Sequence, residues 1–448
     1  WFSSWLWPLS VFDGFENQEE LKYYYPTNTL VTGWDIMFFW VARMIMAGYE
    51  YAPELLGADF VKENGAFPFK DVYFTGMVRD KKRRKMSKSL GNSPEALELI
   101  NNYGADGVRF GMLSSSSAGN DIVFDAPFDP ETNEVLNESK LCEQGRNFCN
   151  KMWNALRLIK GWTVIEQPER PETAAMNDLA YQWMDQKLQQ TLRQMEEQFE
   201  SYRLSEALIG LYSFIWNDFF SWYLEVIKTG DDKIDQLTLD RTISLFERLM
   251  TVLHPFMPFI TEEIWHGLKA RKDGEDCVVS SYPKAGNFDQ SFIAMADQGR
   301  DIVTKVRDLR SSHGIAAREP LRLFMEKSAQ TEALFNTPGW VDTVKKMGVL
   351  AELALTEQEP ESTVSFLSDT SNLFLELNIE VDVEAERDKL SKELSYYEGF
   401  VKSVQKKRSN ERFVQSAPAA VVEKERKKLE DGEAKMAILK ENLAKLQA

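Results

Sequence analysis

Basic residues are concentrated in one short stretch of a chain that is otherwise strongly acidic. Seven of the ten residues from Arg79 to Lys88 are Lys or Arg, although the formal net charge of the 448 residues is −17. Lys85 and Lys88 lie three residues apart, and Ser87 and Ser89 add hydroxyl groups that can donate hydrogen bonds to phosphate oxygens. This combination predicts a loop that binds a polyphosphate through mobile positive charges. The alternative interpretation is a solvated basic loop or a localisation signal.

Two strand-like segments precede this loop, and each ends at a glycine. Residues 30–32 are rich in β-branched side chains and are followed by Gly33, and residues 72–74 precede Gly76. Strand, loop and helix in succession, twice, predict part of a parallel α/β sheet, whose ligands bind at the carboxyl ends of the strands. Gly33, Asp35 and Gly76 would lie at that edge.

Two helices are predicted to support these strands. Residues 35–48 carry apolar side chains on most sides, which predicts a buried helix. A second helix is predicted to open after the basic loop, where Ser93, Pro94 and Glu95 supply an N-cap, a first-turn proline and an acidic first turn.

The composition indicates a globular protein of several domains. A chain of this length exceeds the size of one core, so two to four domains are expected. Cys142, Cys149 and Cys277 form no CxxC pair, which favours a reducing, cytoplasmic compartment and argues against a thiolate zinc site. We take His254 and His266 to have no carboxylate or Cys at metal spacing, so no metal site is predicted. No apolar run reaches the roughly 20 residues of a membrane span, so we expect no membrane partner, and we expect a monomer.

From about residue 138 the sequence predicts helices. The amphipathic stretches are 138–162, 176–201, 203–229, 237–253 and 256–270. Pro, Gly and Asp-rich breaks separate them, a pattern typical of an all-α bundle. Residues 288–378 mix a helical pattern with alternating runs such as Leu321 to Met325, which predicts a small α/β connector.

The tail has a heptad pattern. Apolar residues recur at the a and d spacing in two sets, which are Val383, Leu390, Leu394, Tyr397, Val401 and Val404, then Val422, Leu429, Met436, Leu439, Leu443 and Leu446. Two such helices joined by the loop around 410–418 predict a C-terminal antiparallel coiled coil. Residues 384–448 carry 15 Lys and Arg against 12 Asp and Glu, so this arm is the less acidic end and suits a polyanion.

The pentapeptide Lys85-Met86-Ser87-Lys88-Ser89 resembles the second signature of the class I aminoacyl-tRNA synthetases. Further segments are similar to the valine-specific branch of that class, and they are residues 1–4, 33–44, 146–155, 253–259 and 410–413. Two positions depart from the family pattern: Arg83 stands where a Gly is usual, and Ala96 where a Pro is usual. The first departure would alter the mobility of the loop, and neither removes a reacting group.

The resemblance implies ATP-dependent activation of valine to valyl-adenylate, followed by transfer to tRNA(Val). The partners would then be tRNA(Val), valine and ATP, which carries its own Mg²⁺. By resemblance, Lys88, helped by Lys85 and Ser87, would stabilise charge on the α-phosphate and the departing pyrophosphate. Asp35 and the Gly33 backbone would hold the adenylate ribose beside Gly76. Asp35 could instead be only a helix N-cap.

The same resemblance implies a pocket for the valine side chain formed by Trp1, Ile36 and Trp40. Ile36 and Trp40 are four residues apart and would share a helix face. Without the family pattern, core packing is the better interpretation of these apolar residues. In the family, the first signature, His-Ile-Gly-His, and an inserted editing domain precede the position of Trp1. Neither occurs in this sequence, so we expect a fragment that is inactive alone.

The helical bundle resembles the anticodon-binding domain of the class, and candidate RNA contacts lie on its first helix. Unpaired anticodon bases are read by stacking and by hydrogen bonds to base edges. The candidates are Arg146, Asn150, Asn154, Arg157 and Leu158. Asn150 and Asn154 could instead bond to the neighbouring backbone. The run Lys424 to Lys428 would be a solvated face of the arm that also touches tRNA.

The sequence therefore predicts a multidomain fold. A partial Rossmann-like α/β catalytic domain would span 1–125, an all-α anticodon-binding bundle 126–287, a small α/β connector 288–378 and a coiled-coil arm 379–448. Two rival functions remain open. One is the isoleucine-specific enzyme, whose pattern has Gln and His after the Asp where this chain has Ile36 and Met37. The other is a non-catalytic tRNA- or RNA-binding module.

Overall fold

The structure, a computed structural model, describes residues 3–117, 119–165, 171, 173–377, 383–409 and 419–445. The chain divides into two compact units. The first is Trp1–Trp162, Leu188–Phe220 and Thr242–Gly286, and the second is Thr163–Lys187, Ser221–Arg241 and Asn287–Ala448.

The first unit opens with a two-stranded parallel sheet. Strand β1 spans Thr27–Gly33 and pairs with β2, Phe69–Thr75, in a register that sets Gly33 beside Thr75. This pairing confirms the two parallel strands predicted from the sequence. The helices that precede and link the strands are the short Trp7–Ser10, then α1 (Gln18–Tyr24), α2 (Ala42–Leu56) and α3 (Ala58–Asn64).

The chain between β1 and α2 is irregular. A 3-10 turn, Trp34–Ile36, leads into a π turn, Met37–Val41, and the regular helix begins only at Ala42. The sequence prediction of one helix over 35–48 is therefore wrong at both ends. Its apolar residues lie on most sides, and such a segment has no single buried face that would fix where regular turns begin and end.

Two further helices follow the basic loop. Helix α4 spans Ala96–Tyr103 and α5 spans Ala105–Ser114. The prediction of Ser93 as N-cap is wrong, because the cap position is Glu95 and its side chain makes no cap hydrogen bond. The backbone N–H of Glu95 donates to Asn137 Oδ1 at 2.8 Å, so a residue from outside the helix satisfies this end of it.

Long helices form the rest of the first unit and part of the second. They are α6 (Lys140–Gly161), α7 (Ala174–Glu200), α8 (Leu204–Ser213), a π segment (Phe214–Tyr223), the short Leu224–Ile227, α9 (Gln236–Leu253) and α10 (Pro258–Leu268). All five predicted stretches are helical, although a π segment interrupts the third. Helices α5 and α6 approach closely because Gly111 has no side chain, and a Cβ there would lie 2.8 Å from Cys142 Sγ.

The second unit contains a four-stranded mixed sheet. Its strands are β3 (Leu321–Glu326), β4 (Leu350–Thr356), β5 (Thr363–Ser368) and β6 (Ser371–Glu376), in the order β4-β3-β6-β5. β3 and β4 are parallel, and β6 is antiparallel to both β3 and β5. Leu321, Leu323 and Met325 are buried, as their alternation in the sequence predicted.

Helices and a long helical pair accompany this sheet. The helices are α11 (Gln290–Ser312), α12 (Ala329–Phe335), α13 (Trp340–Gly348), α14 (Val383–Arg408) and α15 (Ala419–Lys445). α14 and α15 lie side by side in opposite directions, since Gln405 bonds to Glu433 at 3.2 Å while Leu390 and Leu439 share one buried cluster. The coiled coil as such stays a prediction. The side chains of Val383, Val422 and Leu446 in its heptads, and segment 410–413, lie outside the described residues.

None of the helices in the described ranges is long and apolar enough to cross a membrane.

Candidate functional site

The basic loop is built around a buried carboxylate. Asp80 is 1% exposed, and its oxygens accept hydrogen bonds from the Arg84 backbone N–H (2.8 Å), Arg84 Nε (2.8 Å) and Asn92 Nδ2 (2.9 Å). Burial acts to raise the pKa of Asp80, but these bonds from Asn92 and Arg84 outweigh it and lower the pKa to about 2. Asp80 is therefore ionised at neutral pH and closes the turn from residue 80 to residue 84.

Asn92 holds the centre of the loop from the other side. It is 1% exposed, its Nδ2 donates to the Lys85 carbonyl at 3.2 Å, and its Oδ1 accepts from the Ser87 N–H at 2.9 Å. Between these two residues, Met86 donates its N–H to Val78 O and packs its side chain against a buried cluster. The main chain at the middle of the signature is thus fixed to the body of the unit.

The second half of the signature forms a short 3-10 turn, Lys88–Leu90. Ser87 Oγ accepts the Leu90 N–H at 3.3 Å and lies 3.2 Å from Ser89 Oγ. Lys88 is exposed, and no partner is found for it among the residues described. The ammonium of Lys88 is therefore available to a ligand.

Part of the positive charge in the loop is committed to the protein itself. Arg79 pairs with Asp121, and Lys82 Nζ bonds to Asn133 Oδ1 at 2.6 Å. Arg83 occupies the left-handed backbone region at φ +61°. A left-handed backbone favours Gly, which is the residue usual at this position in the family that the loop resembles.

Lys85 and Asp35, predicted from separate motifs, meet in the structure. Lys85 Nζ lies 3.2 Å from Asp35 Oδ2, and both side chains are partly exposed. The interpretation of Asp35 as an N-cap is wrong, because the cap positions of the two adjoining turns are Gly33 and Ile36. A Cβ on Gly33 would lie 2.7 Å from Asp35 Oδ1, so glycine leaves room for this carboxylate.

Gly76 lies beside the segment that follows helix α5. A Cβ there would collide with the carbonyl oxygen of Asn120, and the next residue, Met77, donates its N–H to Asp121 Oδ1 at 2.9 Å. The structure therefore explains Gly76 by close packing of two backbones.

The apolar candidates occupy the irregular turns after β1. Ile36 is half-buried, and Trp40 packs against the cluster of Val41, Met44 and Phe69. The indole N–H of Trp40 donates to the Ser4 carbonyl at 2.8 Å. Trp1 lies outside the described residues.

The candidate RNA-binding residues lie along α6. Asn150, Asn154 and Arg157 are exposed, Leu158 is half-buried, and neither asparagine has a hydrogen-bond partner within the described part of the chain. Arg146 differs, because it pairs with Glu143 at 3.2 Å and lies 5.5 Å from the Tyr103 ring centre, so part of its bonding capacity is used.

The sequence interpretation that His266 has no carboxylate at metal spacing is wrong, whereas the expectation of no metal site stays a prediction. Glu262 is one helical turn before His266, and His266 Nε2 lies 3.4 Å from Glu262 Oε1 and 3.0 Å from Asp276 Oδ1. Both oxygens of Glu262 also accept backbone N–H groups, those of Cys277 (2.6 Å) and Val278 (3.2 Å). The cluster fastens the loop after α10 to that helix. The i, i+4 spacing of Glu262 and His266 is a signal that the sequence offered.

Asp80 and Asn92 were also missed as site residues. An acidic residue inside a basic run is the only signal that the sequence gives for Asp80, and nothing local marks Asn92 as buried.

Comparisons with known proteins cover most of the chain. Residues 1–125 match the family model "tRNA synthetases class I (I, L, M and V)", residues 181–325 match "Anticodon-binding domain of tRNA ligase", and residues 382–447 match "Valyl tRNA synthetase tRNA binding arm".

Curated relatives align over the whole chain. The valine--tRNA ligase of Parabacteroides distasonis is 45% identical over 100% of this chain and 47% of its own length. That of Bacteroides fragilis is 46% identical over 100% and 48%, and that of Chlorobaculum tepidum is 34% identical over 99% and 48%. The chain thus spans about half the length of the curated relatives it matches.

Proposed function

We propose that this chain, which belongs to the class I tRNA synthetases, forms part of an enzyme that activates valine with ATP and transfers it to tRNA(Val). The observation that carries the proposal is the 3.2 Å approach of Lys85 Nζ to Asp35 Oδ2, which unites two motifs that are 50 residues apart. The relatives named valine--tRNA ligase, similar along the whole chain, support the choice of valine.

In this proposal the loop lysines act on the phosphates of ATP. Lys88, whose ammonium is exposed, and Lys85 stabilise the negative charge that develops on the α-phosphate and on the departing pyrophosphate. Ser87 and Ser89 orient the loop and offer hydroxyl donors. The nucleotide brings Mg²⁺ with it.

Asp35 has a second role in the proposal. Its carboxylate, for which Gly33 leaves room, accepts hydrogen bonds from the ribose hydroxyl groups of the adenylate, while Gly76 keeps the neighbouring backbone close. An ion pair between partly exposed groups contributes only about 0–1 kcal/mol, so an incoming nucleotide can separate Lys85 from Asp35. Each residue then binds its own part of ATP.

Valine binding is assigned to the turns after β1. Ile36 and Trp40 would form walls of the side-chain pocket, with Trp1 as a third wall. The hydrogen bond from the Trp40 indole to the Ser4 carbonyl supports this, because it fixes the ring in one orientation.

The rest of the catalytic domain must come from polypeptide outside this chain. Val31 on β1 is 59% exposed and Phe38 is 77% exposed, and a two-stranded sheet alone is at best marginally stable. The missing strands and the other side of the ATP site would cover this apolar surface.

The tRNA contacts are assigned to each unit separately. In the first unit the exposed Asn150, Asn154 and Arg157 of α6, with Leu158, would read anticodon bases, and Arg146 would add a phosphate contact. In the second unit α14 and α15 would form a coiled-coil arm that touches tRNA. We also infer that the enzyme is a cytoplasmic monomer; the free cysteines fit a reducing compartment.

The proposal is tested with the full-length protein in ATP–pyrophosphate exchange and in a tRNA-binding assay. We expect exchange that depends on valine. Exchange that depends on isoleucine would favour the isoleucine-specific rival, and tRNA binding without any amino-acid-dependent exchange would favour a non-catalytic RNA-binding module.

A further inference from the structure

Asn92 is buried, and its side-chain amide makes three hydrogen bonds within the loop. Its two amide N–H groups are directed to Asp80 Oδ2 (2.9 Å) and to the Lys85 carbonyl (3.2 Å), and its oxygen accepts from the Ser87 N–H (2.9 Å). An apolar side chain at this position would leave a carboxylate, a carbonyl and an N–H without these partners.

The two lysines of the signature have no comparable anchor of their own. Lys85 is exposed and has one weak ion pair, and Lys88 is exposed without a partner among the described residues. The direction of each side chain is therefore set by the main chain from which it leaves. Asn92 holds that main chain at Lys85 O and at Ser87 N, immediately before the turn that carries Lys88.

We propose that Asn92 is a positioning residue for adenylate formation, which acts by fixing the main chain on both sides of Met86 so that Lys85 and Lys88 reach the phosphates together. This inference rests on the proposed function of the loop. It adds a residue that touches no substrate, and whose loss impairs the transition state more than it impairs substrate binding.

The size of the effect follows from geometry. A misplacement of about 1 Å in a catalytic group lowers the rate about 100-fold. The lysines stabilise charge that appears only in the transition state, so we expect the loss in kcat and little change in the KM for valine. A residue that served only the stability of the fold would lower the amount of active enzyme and leave the rate of each folded molecule unchanged. We therefore express kcat per folded molecule, so that only a misplaced loop lowers it.

The experiment measures valine-dependent ATP–pyrophosphate exchange by the full-length protein. Asn92→Ala removes all three hydrogen bonds, and Asn92→Asp keeps the acceptor for Ser87 but sets a carboxylate against Asp80. The matched control is Asn102→Ala, since Asn102 is an exposed asparagine of α4 that bonds to the Asn137 carbonyl at 3.2 Å and does not touch the loop.

We expect kcat to fall about 100-fold in Asn92→Ala and to remain within about twofold of wild type in Asn102→Ala, with the KM for valine unchanged in both. Hydrogen exchange at the Ser87 amide should accelerate in Asn92→Ala only. If Asn92→Ala does not fold, Asn92→Asp carries the test with the same expected direction. Exchange activity equal to that of Asn102→Ala would overturn the inference, whereas a wild type without valine-dependent exchange would instead overturn the proposed function.

Discussion

Replacing Asp80 by Asn should loosen the basic loop by about 2 kcal/mol. The carboxylate accepts bonds from Arg84 and Asn92, and these lower its pKa from the ordinary 3.8 to about 2. Each tenfold change in an acid constant corresponds to ~1.4 kcal/mol, so the folded loop prefers the ionised carboxylate by about 2 kcal/mol. The side-chain amide of the substituted Asn would also direct an N–H group towards the donors of Arg84 and Asn92.

The assay is hydrogen exchange of single backbone amides. The N–H groups of Arg84 and Ser87 bond to Asp80 Oδ1 and Asn92 Oδ1, so they report opening of the loop directly. A loss of about 2 kcal/mol should accelerate their exchange by about 30-fold. The control is Asp129→Asn, because Asp129 closes a nearby exposed turn through the Glu131 and Thr132 amides. Unchanged exchange at both amides in Asp80→Asn would refute this account of the loop.

The same carboxylate predicts a pH dependence. A pKa that is lower in the folded loop than in the open loop contributes stability above the ordinary pKa, and this contribution disappears as the pH falls through the folded value. Protection of the Arg84 amide should therefore be full above about pH 4 and should decline towards pH 2. In Asp80→Asn this decline should be absent.

Two further predictions concern the first unit. Burial, followed by the nearby Glu262 carboxylate, raises the pKa of Cys277 to about 11. Iodoacetamide at pH 8 should therefore alkylate this thiol about 100-fold more slowly than a thiol with the ordinary pKa of 9. Mass spectrometry measures the rate, and equal rates in folded and urea-unfolded protein would contradict this prediction. Phe148 of α6 is fully buried, so Phe148→Ala should lower the free energy of unfolding in urea by about 3–5 kcal/mol. The neighbouring residue Asn147 is exposed, so the control Asn147→Ala should change it by less than about 0.5 kcal/mol. A loss in Phe148→Ala no larger than that of Asn147→Ala would contradict the packing assigned to this helix.

The regular elements of the fold could be predicted because local patterns determine them. β-Branched runs marked β1, and period-3.6 stretches marked the long helices. The errors arose where a distant residue or an irregular turn decides the outcome. Helix α4 begins at Ala96 because Asn137, 42 residues from Glu95, satisfies its first free N–H. The π turns at Met37–Val41 and Phe214–Tyr223 have no local sequence signal of their own.

The candidate phosphate-binding side chains could be proposed from the sequence, whereas the residues that hold the loop in place could not. Lys85, Ser87 and Lys88 were found because their types and spacing suit phosphate chemistry. The contact between Lys85 and Asp35 depends on the folding of 50 intervening residues, so the sequence could suggest each partner and not the pair. Asn92 is a common surface residue type whose burial only the structure reveals.

We propose that the signature lysines act on the transition state of valine activation. The most direct measurement compares Lys88→Ala with Lys81→Ala, an exposed lysine of the same loop, in the full-length protein by valine-dependent ATP–pyrophosphate exchange. We expect Lys88→Ala to lower kcat by about 100- to 1,000-fold with valine binding unchanged, and Lys81→Ala to behave as wild type. Equal activity of the two variants, or an equal loss of rate and valine binding in Lys88→Ala, would contradict the account.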